Sequence, residues 1–366
     1  MSEIRRGKDP ALQQSGTTGR RLYIDFIKIL AILMVVFNHT RTWGFLLFTQ
    51  TRGSVLYPFY LFNAVWTKIA VPLFFMCSGA LLLGKQEPYR VVLRRRFLRF
   101  FVTLVLVSAM MYLYNRIRGG KGLSFSVFFE KFYKEGIAVP YWYLYRFLAY
   151  LLMLPLLRKI ASGMTKADFR WVAVLFIIMK AVPMIEFMVW RERVELNSTF
   201  YLFTELDYVA YPLIGYYIDK SEIPENSGKA VLLVWLASLA AIGISSAMTH
   251  YRCTLLDTWE MSSCQKFLDN LIVVPVAAVF YSCKVWFSCH QPGQRAQKTI
   301  VLLSGLTFGI YLLEGIGRRE TVCIYEYLKP YLHSLPATWV WVLSTCVLCG
   351  LAVYVLKKIP GLKKFL

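Results

Sequence analysis

The chain has 366 residues, of which 57% are hydrophobic and 17% are charged, and its formal net charge is +21. Its mean hydropathy is +0.49. A soluble chain of this length does not need so many apolar runs of about twenty residues. The composition therefore predicts a membrane protein, and it argues against nucleic-acid binding because no soluble basic fold would present such a surface.

Ten apolar runs follow one another with short connections, and each is about long enough to cross a bilayer as a helix. They lie at residues 22–40, 57–83, 97–115, 140–157, 171–190, 200–218, 230–248, 267–287, 299–316 and 337–356. We expect an all-α, polytopic bundle of about ten transmembrane helices that forms a single membrane domain, residues 21–358. A disordered cytoplasmic tail, residues 1–20, precedes it, a basic tail, residues 359–366, follows it, and no signal peptide is expected.

Lysine and arginine are distributed unevenly among the connections. If the N-terminus is cytoplasmic, the inner segments hold more of them than the outer segments, as the positive-inside rule requires. An even number of spans then places the basic C-terminus on the cytoplasmic side as well. We expect a multi-pass protein of the plasma (inner) membrane, of bacterial type, whose positive charge also attracts anionic membrane lipids.

The first apolar run contains three ionisable residues, Asp25, Lys28 and His39. Ionisable side chains within a membrane helix are costly, and they usually face a protein interior or a water-filled cavity. On an α-helix, Lys28 and His39 fall on nearly the same face, about 16 Å apart along the axis, and Asp25 lies close to the same stripe. We expect this stripe to open onto a solvated cavity.

A cluster of arginines between residues 90 and 99 is the second polar feature. Arg96 and Arg99 are three residues apart and share a face if the segment is α-helical. Two guanidinium groups on one face suit phosphate oxygens. The alternative is a positive-inside stop signal that contacts lipid headgroups.

Further charged residues fall within the apolar runs. They are Lys68, Arg146, Lys180, Glu205, Asp207 and Glu314. Arg146, Glu205, Asp207 and Glu314 are candidates to line the same cavity, and Arg146 could pair with Glu205 or Asp207. Lys68 and Lys180 are assigned no role.

The eight cysteines do not show the spacing of a zinc site, so no metal centre is expected. Cys253 and Cys264 both fall in a predicted outer loop, residues 249–266. They could form a disulfide in an oxidising compartment, or remain as thiols.

Several segments, taken in order, resemble the integral-membrane acyltransferase-3 family. Members of this family carry a basic residue and, after ten intervening residues, a histidine in the first helix. Lys28 and His39 match this spacing. The other matching segments are Val71–Gly79, Arg96-Phe-Leu-Arg99, Trp142-Tyr-Leu-Tyr145 with Pro155, Tyr211–Tyr217 and Leu306–Leu313. The chain departs from the family in one place, because many members have a histidine after the late Ile-Tyr-Leu where this chain has Glu314.

The resemblance implies O-acyl transfer, usually of an acetyl group. The donor would be acetyl-CoA, a co-substrate from the cytoplasm and not a permanently bound cofactor. The acceptor would be a hydroxyl of a cell-envelope glycan or of a lipid-linked sugar. His39 would be the general base, because histidine titrates near working pH. Asn38 would orient the imidazole or donate to the developing oxyanion.

We expect donor contacts from Lys28, Arg96 and Arg99, and we expect Trp142 and Tyr145 to stack on a sugar or on the pantetheine arm of the donor. Each has an alternative: Lys28 could simply pair with Asp25, and the aromatic side chains could anchor helices in the membrane.

Asp25 and Tyr311 are further candidates to line the cavity. The alternative function is a transporter for a lipid-linked sugar or an organic anion, in which the same charges would line a substrate path.

Overall fold

The computed structural model describes residues 20–120, 122–134, 136–191 and 206–365. This part of the chain is helical and contains no strand, so the predicted all-α class is confirmed. The predicted N-terminal tail lies, except for Arg20, outside the described residues. The end of the chain forms a short, exposed 3₁₀ turn, Leu362–Lys364.

Fifteen α-helices make up the described part. They are α1 (Leu22–Asn38), α2 (Tyr57–Thr67), α3 (Ala70–Leu82), α4 (Tyr89–Val91), α5 (Leu98–Arg118), α6 (Phe125–Lys134), α7 (Trp142–Gly163), α8 (Lys166–Trp190), α9 (Asp207–Lys220), α10 (Ser227–Leu255), α11 (Met261–Cys264), α12 (Val273–Cys289), α13 (Gln294–Glu320), α14 (Val322–Leu328) and α15 (Ser334–Leu356). A π-helical stretch, Val92–Phe97, joins α4 to α5.

Six helical stretches in the described ranges are long and apolar enough to cross a membrane. They are Tyr57–Leu82, Tyr89–Arg118, Lys166–Trp190, Ser227–Leu255, Gln294–Glu320 and Ser334–Leu356. A seventh is α6 taken together with Val139–Gly163, a pair bent by 51°. Three predicted spans are not matched by helices of that length. The helices α1 and α12 have 17 residues each and α9 has 14, whereas a full crossing takes about 20 residues. In the sixth predicted run, which contains α9, residues 200–205 lie outside the described residues.

The second predicted span is broken into α2 and α3. Pro72 lies in the first turn of α3 and has no N–H to donate to the carbonyl of Lys68. Lys68 and Ile69 interrupt the regular helix but keep right-handed helical dihedrals, so Tyr57–Leu82 continues as one span, and Lys68 lines the cavity described below.

The first helix lies at the centre of the bundle. It is apolar on nearly every side, and it packs against α3, α12, α13 and α15. Ile27, Ala31 and Phe37 are fully buried in these contacts. Because neighbours enclose α1, its few polar side chains contact protein groups on other helices.

Small residues let the helices that carry the site approach closely. A Cβ on Gly79 would overlap the backbone of Pro212, and one on Gly215 would overlap the backbone of Met76, so α3 and α9 touch backbone to backbone. Gly317 of α13 lies against the side-chain sulfur of Cys349 on α15, so a Cβ at Gly317 would overlap that side chain. These contacts fix the positions of α9 and α13 around α1.

Candidate functional site

A cavity of about 450 Å³ lies at the end of the bundle where α1 and α13 end and α7 begins. Its polar lining combines six basic side chains, two carboxylates, a histidine and several amides. These are Asn38, His39, Arg41, Lys68, Asn115, Arg146, Lys180, Asp207, Gln265, Asp269, Arg318 and Arg319. Trp142, Phe75 and Tyr211 contribute aromatic surface. The cavity is polar and positively charged, and it is large enough to hold part of a small-molecule substrate.

His39 lies in this wall immediately after α1, and its side chain is 18% exposed. Its Nδ1 is 3.0 Å from Oε1 of Glu314, whose side chain is fully buried. Arg318, one turn further along α13, donates from Nε to Oε2 of Glu314 at 2.6 Å and from Nη1 to the backbone oxygen of His39 at 2.5 Å. The guanidinium of Arg318 thus binds the carboxylate of Glu314 and also the backbone of His39, whose side chain contacts that carboxylate.

Asn38 also lines the cavity, and its Nδ2 donates to the backbone oxygen of Thr67 at 2.9 Å. This bond ties the end of α1 to the end of α2, next to the break at Lys68. The group in contact with Nδ1 of His39 is Glu314, and Asn38 lies beside the pair.

Four further charged residues of the predicted apolar runs also line the cavity: Lys68, Arg146, Lys180 and Asp207. Nζ of Lys180 is 2.9 Å from Oδ1 of Asp207, so the lysine that sequence analysis left without a role is the partner of that carboxylate. Nζ of Lys68 donates to Oε1 of Gln265 at 3.1 Å. The guanidinium of Arg146 lies 5.5 Å from the ring centre of Trp142, a cation–π arrangement one turn into α7.

Asp25 and Lys28 lie toward the other end of α1, and neither is among the residues that line the cavity. Asp25 is buried and accepts hydrogen bonds from Nε of Arg20 at 2.7 Å and from Oγ of Ser304 at 2.6 Å. Nζ of Lys28 is 3.8 Å from Oδ1 of Asp25. The polar stripe of α1 therefore contacts two separate groups of partners, one at each end.

Arg96 makes a bidentate contact with Glu87, at 2.9 Å from Nε to Oε2 and 2.6 Å from Nη2 to Oε1. Arg158 donates to the same carboxylate at 2.9 Å. Hydrogen bonds from Arg96 and then Arg158, opposed by burial, lower the pKa of Glu87 to about 2. Arg99 is exposed in the first turn of α5, just after the π-helical stretch that contains Arg96. Neither arginine lines the cavity at His39.

Two of the predicted aromatic residues, Tyr145 and Tyr311, form hydrogen bonds to the backbone just before α7. The hydroxyl of Tyr145 donates to the backbone oxygen of Phe132 at 2.7 Å, and the buried hydroxyl of Tyr311 donates to the backbone oxygen of Pro140. Neither side chain lines the cavity, whereas Pro140 does. Glu205 lies outside the described residues.

The grouping of His39, Glu314 and Arg318 is the feature that sequence analysis missed. Glu314 appeared only as a candidate cavity residue, but it is fully buried behind His39 and is absent from the cavity lining. Arg318 was not singled out. Its spacing of four residues from Glu314 is the signal that could have identified the pair.

Within residues 20–120, 122–134, 136–191 and 206–365, no three His, Cys, Asp or Glu side chains converge as a metal site.

The family model described as an acyltransferase domain, Acyl_transf_3, matches residues 21–357. The chain therefore belongs to the acyltransferase-3 family, as its motifs indicated. It matches no curated protein and no solved structure. Family membership together with the long apolar helices supports a multi-pass membrane acyltransferase.

Proposed function

We propose that the protein is an O-acyltransferase of the bacterial plasma (inner) membrane, with ten crossings and both termini in the cytoplasm. It transfers an acyl group, in the first instance acetyl, from acetyl-CoA to a hydroxyl of a cell-envelope glycan or of a lipid-linked sugar. The observation that carries this proposal is His39 in the wall of a polar cavity, with its Nδ1 3.0 Å from the buried carboxylate of Glu314.

His39 is the general base in this proposal. With Nδ1 against Glu314, Nε2 is the ring nitrogen available to a substrate. It removes the proton of the acceptor hydroxyl as the hydroxyl oxygen attacks the thioester carbonyl, forming a tetrahedral oxyanion. When the carbon–sulfur bond breaks, the imidazolium returns that proton to the departing thiolate of CoA. The products are the O-acyl ester and free CoA.

Glu314 and Arg318 are positioning residues. The carboxylate stabilises the imidazolium that forms in the transition state, and Arg318 holds the carboxylate in place. Asn38 uses one amide hydrogen for the carbonyl of Thr67, and its second amide hydrogen is assigned to the oxyanion. Arg41 and Arg319, which also line the cavity, add positive charge to the same region.

The donor is assigned to the other end of α1, where basic residues cluster. Arg99 is exposed there, and Lys28 is 26% exposed beside Asp25. Arg96 would first have to release Glu87 before it could bind phosphate. Lys28 and His39 are about 16 Å apart along α1. The proposal therefore requires the acyl-bearing arm of the donor to extend from the basic end toward the cavity, where Trp142 offers an aromatic surface.

The test is mass spectrometry of envelope glycans from cells that lack the protein and are complemented with His39→Ala or with His290→Ala. His290 is exposed and lies beyond the end of α12, so its replacement is the matched control. We expect O-acylation to disappear with His39→Ala and to persist with His290→Ala, at equal protein levels in the membrane. Normal acylation by His39→Ala would contradict the assignment of the base.

A further inference from the structure

Two cysteines meet at the same end of the bundle as the cavity. Cys253 lies in the last turn of α10 and Cys264 ends α11, and both are fully buried. Their sulfur atoms are 3.3 Å apart. The amide of Thr258 donates to the backbone oxygen of Cys253 at 3.1 Å, and Arg252 donates to the backbone oxygen of Ser263 at 2.7 Å. Contacts on both sides of the pair thus hold the two sulfur atoms against each other.

We propose that Cys253 and Cys264 form a disulfide in the mature protein. A disulfide needs the sulfur atoms about 2.05 Å apart, so they must approach by about 1.3 Å. The segment that must move is short, because α11 has four residues and irregular chain precedes it. The oxidant is the disulfide of a thiol–disulfide oxidoreductase. A thiolate of the pair attacks it, the second thiolate resolves the mixed disulfide, and the oxidant leaves as a dithiol with the two electrons and two protons.

The location of the pair fits an oxidising compartment. It lies at the end of the bundle that carries His39, and this inference rests on the proposed topology, in which that end is outside the cytoplasm. Cys283 is at the opposite end. Its neighbour Lys284 donates to the carbonyl of Asp219 at 3.0 Å, and Asp219 pairs with Arg21 before α1. Cys253 and Cys264 are therefore close together and, in the proposed topology, on the outer side.

The disulfide would fix one wall of the cavity. Gln265 follows Cys264 directly, accepts a hydrogen bond from Lys68, and lines the cavity together with Asp269. A bond from Cys264 to Cys253 attaches the start of this wall to α10. The loop that the bond closes carries Trp259, whose ring receives the guanidinium of Arg52 at 4.5 Å from its centre. Reduction would therefore loosen the wall that carries Gln265.

The experiment labels thiols in the full-length protein taken from its native membrane. Cells are quenched with N-ethylmaleimide under denaturing conditions, the protein is purified and reduced, and newly freed thiols receive a second maleimide before peptide mass spectrometry. We expect the second label on Cys253 and Cys264 and the first label on Cys323, which is exposed. The first label on both Cys253 and Cys264 would overturn the proposal.

Thermal unfolding in detergent provides the second measurement. A reductant is expected to lower the melting temperature of the unaltered protein by about 5 °C, because the bond closes a loop of about a dozen residues. Cys253→Ser, Cys264→Ser and the double variant should share this lower value and no longer respond to reductant. Cys323→Ser should behave like the unaltered protein. A reductant effect that persists in the double variant would overturn the proposal. Both readouts are independent of acyl transfer, so they can fail or succeed separately from the proposed enzyme activity.

Discussion

Replacement of Glu314 by glutamine tests the role of the buried carboxylate. Glutamine keeps the size of the side chain and removes its charge. The contact between Nδ1 of His39 and Oε1 of Glu314 is 3.0 Å, which places the centres of the two charges about 4 Å apart. At that separation and an effective dielectric constant of about 20, a carboxylate stabilises an imidazolium by about 4 kcal/mol. If the imidazolium forms in the transition state, loss of this energy slows turnover by about 10³-fold.

A second effect acts in the same direction. Arg318 donates to Glu314 at 2.6 Å, and the variant leaves this guanidinium near His39 without its carboxylate. Its positive charge then opposes formation of the imidazolium. We therefore expect kcat to fall by about 10³-fold or more, with little change in the KM for acetyl-CoA because Glu314 does not line the cavity.

The assay follows the release of CoA thiol by purified protein with acetyl-CoA and an envelope glycan extract. Glu320→Gln is the matched control, because Glu320 ends the same helix at an exposed position and pairs with Arg118. Melting temperatures establish that both variants are folded. If folded Glu314→Gln turns over within about threefold of the unaltered protein, the positioning role of Glu314 is refuted.

Two predictions concern the scaffold. Gly79→Ala should lower the melting temperature by several degrees, because its Cβ would overlap the backbone of Pro212, whereas Gly243→Ala, where the space is open, should leave it unchanged or raise it. A larger loss for Gly243→Ala would contradict the close contact of α3 and α9. Glu87 has its pKa lowered to about 2 from an ordinary value of 4.5, so its contribution to stability is complete above about pH 4.5 and is lost as the pH falls toward 2. Melting temperatures measured across that range should fall more steeply for the unaltered protein than for Glu87→Gln, and equal slopes would show that the contact with Arg96 does not stabilise the fold.

The helical class and the family could be predicted from the sequence, because long apolar runs and ordered local motifs carry that information. The polar residues of α1 were recognised for the same reason: charges are conspicuous in an apolar run. Their partners on other helices could not be predicted. Asp25 contacts Ser304 and His39 contacts Glu314, and both contacts depend on how α13 is packed beside α1.

Local departures from regular helix explain other differences. The expectation that Arg96 and Arg99 share a face assumed an α-helix, but Arg96 lies in a π-helical stretch and contacts Glu87, whereas Arg99 lies in α5 and is exposed. The second apolar run appears uniform in the sequence, whereas in the structure Lys68 and Ile69 interrupt the regular helix between α2 and α3, and Lys68 lines the cavity. Hydrophobicity averaged over about twenty residues does not detect either feature.

The most direct test of the central claim is transfer of radiolabelled acetyl from acetyl-CoA to envelope glycans by the purified protein and by His39→Ala. Thermal shift with acetyl-CoA establishes that each protein still binds the donor. We predict an alkali-labile ester on the glycan with the unaltered protein and none with the variant, although both bind acetyl-CoA. Equal labelling by the two proteins, or no labelled ester with either, would contradict the account.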